Sequence, residues 1–379
     1  NCCMIQVLIS KNNLNNWYRW FRTPPGRLFQ VFVVATVVYA SFYPTHFLIA
    51  DELVYFEQAS TWVKGSIFTI DYQPCSPEVS YRLPGAYPVG TGLLAAGFIW
   101  LGGLRAVFWS SFICWLLGTW ALGRLLIGYK RRWIWALYPW LFLPALVLTR
   151  TLMSDMPSFA LAAVFLHVIT RPAPGRFSAF AAGLVAGLAV LFRETNLIWS
   201  LPFLVGAWLR KAPFPIHLWS GFAGGLFIRG FSAWFFMGDP FFYKPPDPGF
   251  SLSFFPQNLA FYGVLLSVLA PGAWWFLWKS EWRYRGEALA VLLLFLMVYG
   301  SYGYDALAKS GYKGLVLQGR FLIPLLPIVA VSAAHVPGRL QHLSTGFYQV
   351  PLVVVLLGFC GVQAAGYGYN NEQMRITEA

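Results

Sequence analysis

Charge is what this chain is short of. Lys, Arg, Asp and Glu make up 11% of its 379 residues, whereas 58% are hydrophobic. A soluble domain typically carries about 25% charged residues. So few charges cannot cover a water-exposed surface, which excludes an ordinary soluble globular domain and leaves a bilayer as the natural solvent. Acids are the scarcer sign, 14 against 27 bases, for a net charge of +13. The bases are scattered between apolar segments and form no single patch. Nucleic acid is therefore excluded as a partner, and membrane orientation accounts for the charge. Cysteine is also scarce: Cys2, Cys3, Cys75, Cys114 and Cys360. Cys114 and Cys360 lie inside apolar runs, so no disulfide framework is implied. The histidines at 46, 167, 217, 335 and 342 show no metal-ligand spacing, and there is no Walker-type phosphate loop, no GxGxxG and no HExxH. No cofactor is required on this reading. The acids outside the apolar runs leave a divalent cation open, with no ligand set evident. A soluble nucleotide-sugar donor would need a cytosolic domain, and none is visible. No signal peptide is expected, because the first apolar run is long and lacks a small-residue cleavage site.

What is abundant points the same way. Aromatics reach 19%, with 18 Trp, which suits belts of amphipathic rings at headgroup level. Apolar runs of about 20 residues, the length that crosses a hydrocarbon core, fall at 28–50, 104–127, 133–149, 157–170, 177–192, 195–209, 218–236, 259–278, 288–304, 321–335 and 347–365. The expected fold class is an all-α integral membrane protein of about eleven transmembrane helices. The stretch 87–102 is apolar but Gly-rich and opens with Tyr87-Pro88. It is expected to be a juxtamembrane helix in the first outer loop, 51–103. Trp17–Arg22 is aromatic and basic, which suits a short helix on the inner leaflet. The organisation expected is a cytoplasmic interfacial N-terminus (1–27), a transmembrane catalytic module (28–335), and a last transmembrane helix with a short outer tail (336–379).

Orientation follows from the short loops. With the N-terminus inside, Arg124, Lys130, Arg131, Arg132, Arg171, Arg176, Arg210, Lys211, Lys279, Arg283 and Arg285 all fall inside, as the positive-inside rule requires. All acids except Glu281 and Glu287 then fall outside or at outer helix ends. Acids contribute little to topology, so their bias asks for another cause. The outer face is where chemistry is expected.

Five outer constellations are candidates. Asp51-Glu52 stands at the outer end of the first span, where two carboxylates must face water or a cavity. An Asp here can take a proton from an acceptor hydroxyl; a solvated helix end is the plain alternative. Arg82 stands beside the turn Pro84-Gly85, and its planar fork suits phosphate oxygens; an interfacial anchor is the alternative. Asp155, before Met156-Pro157, is a good helix start and is expected to act as an N-cap, without excluding a role in the site. Arg193-Glu194 interrupts an apolar stretch at membrane depth, which is costly and usually functional; a mutual surface ion pair is the alternative. Arg320 heads a Pro-containing span, with Lys309 and Lys313 just before it. Positive charge outside runs against the orientation rule, and an anionic lipid phosphate would supply a reason.

Together these residues resemble the GT-C glycosyltransferases, in particular the protein mannosyltransferase and aminoarabinose transferase superfamily. Asp51-Glu52 is similar to the acidic pair after the first helix. Arg82-Leu83-Pro84-Gly85 looks like the Lys-Pro-Pro-like turn, with Arg in place of Lys. Ser154-Asp155-Met156-Pro157 looks like the second-loop Asp motif. Gly183 to Arg193 looks like a Gly-rich fifth helix ending in a base, and Arg320 to Pro324 like the base before a Pro-rich late helix. The resemblance spans roughly residues 28–330. It implies inverting transfer of a sugar from a polyprenyl-phosphate carrier to an acceptor hydroxyl. Asp51 would be the base, with Glu52 and Asp155 beside it. Arg82, Arg193, Arg320 and Lys313 would bind the lipid phosphate. The implied partners are the polyprenyl-phosphate-linked sugar, an acceptor lipid, glycan or protein, and membrane lipids. The implied location is a bacterial inner membrane with a periplasmic site. A transporter or lipid flippase, and a non-catalytic membrane subunit, are the alternatives the residues leave open.

Overall fold

A computed structural model describes residues 21, 23–71, 80–83, 85, 87–171, 175–211, 214–243, 249–303, 317–337 and 349–378; the side chains of 69–71, 80–82, 349–351 and 370–378 lie outside that description. Trp17–Trp20, Arg22, Lys309, Lys313, Cys2, Cys3 and Cys75 also lie outside it.

The chain is a helical bundle with one small hairpin. α1 is Pro24–Ser41. It buries Leu28, Val31, Ala35 and Tyr39 at helical spacing while exposing Phe29, Val33, Val34 and Val37. Both faces are apolar, as a helix needs when one side meets protein and the other lipid. The same holds for Phe227, Trp234 and Leu293 on other helices, all largely exposed. Among the described residues, four helical stretches are long and apolar enough to cross a membrane: Leu104–Gly128, Leu252–Leu269, Leu317–Ala334 and Leu352–Tyr369. The protein is an integral membrane protein.

The first expected span ends early. α1 stops at Ser41, residues 42–49 turn, and α2 (Ala50–Val63) follows. Pro44 explains the stop, since it lacks an N–H and keeps its predecessor out of helical geometry. Asp51 and Glu52 therefore open α2 instead of closing the first span. A hairpin pairs β1 (Thr69–Asp71) with β2 (Ser80–Arg82). The helix expected at 87–102 is α3, Val89–Gly102, packed along α2.

Next come α4 (Trp109–Gly128), a 3₁₀ stretch Trp133–Leu141, α5 (Leu143–Leu148) and α6 (Asp155–Ile169). Pro139 and Pro144 break what the sequence suggests is one span over 133–149. α7 (Arg176–Phe192) is followed by α8 (Leu197–Leu209) and α9 (Pro215–Met237). The span expected at 259–278 is likewise two helices, α10 (Phe255–Leu269) and α11 (Ala273–Lys279). Pro271 ends the first, and Gly272 turns the chain at φ +81°. α12 (Arg285–Gly300), the 3₁₀ turn Arg320–Leu325, α13 (Leu326–Ala334) and α14 (Gln349–Glu378) complete the order. α13 is buried along its whole length and forms the centre of the bundle.

The tightest helix pair is α7 with α9. A Cβ on Gly183 would stand 1.8 Å from the Leu218 carbonyl oxygen, and one on Gly221 would stand 2.0 Å from that of Phe180. Gly187 and Gly225 repeat the approach one turn on. Small residues four apart on both helices let the backbones touch, a mode of association suited to lipid.

A candidate active site at one end of the bundle

The N-terminus of α2 is fixed by Glu52. Its Oε1 accepts from the backbone N–H groups of Leu48 (2.7 Å) and Ile49 (2.9 Å), closing the start of its own helix. Its Oε2 accepts from the Leu152 N–H at 2.7 Å, in the loop that leads to α6. Glu52 is fully buried. Burial pushes its carboxyl up to about 7, against the three N–H donors that pull it down. Glu52 thus joins the segment bearing Asp51 to the segment bearing Asp155. Arg150 fastens the same loop from behind: its Nη1 donates to the Phe42 carbonyl (2.6 Å) and to Gln363 Oε1 of α14 (2.7 Å).

Asp51 points the other way, into a cavity of about 360 Å3. Its Oδ1 accepts from the Tyr87 hydroxyl at 2.8 Å, and its Oδ2 lies 3.3 Å from Arg320 Nη2. Tyr87 is held there by Gln58 of α2, whose Nε2 donates to the carbonyls of Gly85 and Tyr87, both at 3.0 Å. Burial first, then the Asp51 charge, raises the Tyr87 phenol, so it stays a donor. Tyr55, one turn along α2, also lines the cavity; burial raises it to about 12, eased by a hydrogen bond with Ser154.

Across the cavity, α7 ends at Phe192 and Arg193 adopts an extended conformation. The break is locked by Asn196, whose Nδ2 donates to Ser158 Oγ (2.9 Å) and to the Ala189 carbonyl (2.7 Å). Arg193 Nη1 lies 2.6 Å from Asp155 Oδ1. Asp155 is fully buried, and its Oδ2 has no hydrogen-bond partner among the described residues. It does not serve as the expected N-cap: it is the first residue of α6, and its carboxylate faces Arg193. The Arg193 guanidinium lies 4.7 Å from the centre of the Phe321 ring, and that of Arg320 lies 5.3 Å from the same centre. One aromatic ring therefore gathers two cations, each with its own carboxylate. Tyr299 stacks on Phe321 at 4.6 Å and donates to Thr195 Oγ1 at 3.0 Å.

Asp51, Arg193 and Arg320 thus share one cavity, with Asp155 directly behind Arg193. Glu52 is turned away from it. Arg82 sits on β2 with its backbone paired to Thr69, and its side chain lies outside the described residues, as does Lys313. Arg193 and Glu194 do not pair with each other. Glu194 lies 3.4 Å from Arg229 of α9. Arg229 also donates to the carbonyls of Pro240 and Phe242, holding the strap that leads to Tyr243 on the cavity wall. Arg229 was findable as a lone charge inside the run 218–236. Tyr87 had no comparable signal, being one Tyr among 19. Among the described residues, no group of three or more His, Cys, Asp or Glu is placed to hold a metal.

With an acidic helix start after α1, α2 and α3 packed together, and a cavity at one end of the bundle, the chain has an ArnT-like fold. Among solved structures it is similar to ArnT from Cupriavidus metallidurans. It matches the apo form with a TM-score of 0.57 and 16% identity, over 91% of this chain and 75% of that one. It matches the form bound to undecaprenyl phosphate with a TM-score of 0.56 and 16% identity, over 91% and 76%. No protein-family model and no curated protein sequence matches the chain.

Proposed function

We propose that the protein is an inverting glycosyltransferase that moves a sugar from a polyprenyl-phosphate carrier to an acceptor hydroxyl. The observation that carries this reading is the pairing of Asp51 with Arg320 on the wall of a cavity where Arg193 shares the ring of Phe321. The similar ArnT structure bound to undecaprenyl phosphate supports a lipid phosphate as ligand of this fold. The cavity is set at the outer face of a bacterial inner membrane, following the positive-inside orientation of the short loops.

Asp51 takes the proton of the acceptor hydroxyl, and Tyr87 holds the carboxylate in line. The acceptor oxygen attacks the anomeric carbon from the face opposite the phosphate. The bond from that carbon to the phosphate oxygen breaks, its electrons stay on the oxygen, and the configuration inverts. The carrier phosphate gains one negative charge as it leaves. Asp51 loses its negative charge in the same step, which frees Arg320 from its ion pair. Arg320 and Arg193 then face the new phosphate charge, placed before the reaction begins. Asp155 orients Arg193, and Glu52 positions Asp51 by fixing the start of α2. Arg82 and Lys313 are assigned to the same phosphate. This scheme does not require a metal.

The test is turnover of a short-chain polyprenyl-phosphate sugar by purified protein. Wild type is expected to release or transfer the sugar. Asp51→Asn is expected to bind the carrier but turn it over far more slowly, and Arg320→Ala to bind it weakly. Absence of carrier binding by folded wild type would overturn the assignment.

A further inference from the structure

A second feature lies away from the site cavity. Between α4 and α6 runs a cavity of about 620 Å3, open to the side and lined by Leu117, Ala121, Leu161 and Val164. Arg124 and His167 line one end of it. From Pro157 to His167 the groove follows α6 for about 15 Å, the depth of one leaflet. Arg124 and His167 lie at the ends of α4 and α6 opposite Asp155.

The cationic end is organised. Arg171 Nη2 donates to His167 Nε2 at 3.0 Å, which leaves the ring proton on Nδ1. That Nδ1 is enclosed without a hydrogen-bond partner among the described residues. Arg124 and Arg171 are exposed. Neither forms an ion pair with a carboxylate among the described residues, unlike Arg193, Arg210, Arg229 and Arg320. The Tyr129 hydroxyl donates to the Thr170 carbonyl at 2.5 Å and ties the two helix ends together beside the groove. Orientation alone would explain exposed arginines, but it requires no chain-length groove ending between them. An apolar groove alone would accept any hydrocarbon, but it requires no cations.

We infer that this groove binds an anionic phospholipid of the leaflet opposite the candidate active site. The phosphate lies between Arg124 and Arg171, and one acyl chain lies along Leu117, Ala121, Leu161 and Val164. Basic pockets between transmembrane helices recognise anionic headgroups in this way.

The experiment is native mass spectrometry of delipidated protein titrated with dioleoyl phosphatidylglycerol and, separately, dioleoyl phosphatidylcholine. Phosphatidylglycerol is expected to be retained about thirtyfold more tightly, the effect of two basic residues beside a headgroup of net negative charge, which the choline of phosphatidylcholine cancels. Arg124→Gln/Arg171→Gln is expected to abolish the preference. Val164→Trp, which fills the groove and keeps the charges, is expected to weaken retention of both lipids. Thermal midpoints of all variants are read in the same series, and Leu161→Trp replaces Val164→Trp if the latter does not fold. Asp51→Asn is expected to retain phosphatidylglycerol as wild type does, whatever its effect on transfer. Equal retention of the two lipids, or a preference that survives the double charge variant, would overturn the site. Displacement of phosphatidylglycerol by a short-chain polyprenyl phosphate would also overturn it, by assigning the groove to the carrier's tail.

Discussion

The two cavities of the bundle use arginine differently. At the end holding Asp51, both cavity arginines face carboxylates: Arg193 faces Asp155 at 2.6 Å and Arg320 faces Asp51 at 3.3 Å. At the other end, Arg124 and Arg171 have no such partner among the described residues, and the nearest built feature is an apolar groove. A paired guanidinium is oriented before any ligand arrives, and protonating its carboxylate can release it. An unpaired one fixes a charge in place and leaves its geometry to the ligand. The first arrangement suits a reaction in which charge moves, and the second suits static recognition.

The sharpest way to break that contrast is at Asp51. Asp51→Asn is expected to lower transfer by roughly 10²–10⁴-fold, with a thermal midpoint within a few degrees of wild type. Single-turnover kinetics with a short-chain carrier would measure it, and a variant keeping a tenth of the activity would remove Asp51 from the role of base. Arg320→Ala is expected to cost about 10²-fold. If release of Arg320 depends on Asp51, the double variant should be no slower than Asp51→Asn alone, because groups acting as a unit are not additive. Additive losses would uncouple the pair.

Much of this site was visible in the sequence, and the reason is cost. Arg193 and Arg320 stood out because charge inside or at the head of an apolar run is expensive unless it is used. Asp51 and Glu52 stood out for the same reason, but their separate duties did not. Adjacent residues on a helix point about 100° apart, so only one of the two can face a given cavity. That argument needs the helix to start at Ala50, and the sequence pattern extended the first span to residue 50. Pro44 was the missed signal. The breaks at Pro139 and Pro144 were lost similarly, because hydropathy runs on while the backbone does not. The partners of Glu194 and Asp155 lie 35 and 38 residues away, and no local pattern specifies such pairings.

Two further tests sharpen the comparison from the side of stability. Gly221→Leu places a side chain where a Cβ already meets the Phe180 carbonyl at 2.0 Å. The expected loss is about 3 kcal/mol, at the top of the range for overpacking, read as a lower thermal midpoint in detergent. Glu52 gives a smaller, pH-dependent effect. Its folded pKa, about 7, lies above the ordinary value of 4.5 because burial opposes the charged form. Its stabilising contribution is therefore full below about pH 4.5 and is lost as pH rises through about 7. The wild-type midpoint should fall across that window, whereas that of Glu52→Gln should be flatter. Parallel profiles for the two proteins would show that Glu52 does not titrate there.

The backbone contact between α7 and α9 has a mechanical consequence. Helices separated by a layer of side chains can slide by letting rotamers adjust; helices whose carbonyls touch the glycines opposite have no such cushion. α7 and α9 therefore behave as a single bar. Arg193 follows directly from one half of that bar, and Arg229, with the strap it grips, belongs to the other. The opposing wall is built differently: α2 and the Tyr87 turn are joined by side-chain hydrogen bonds that can break one at a time.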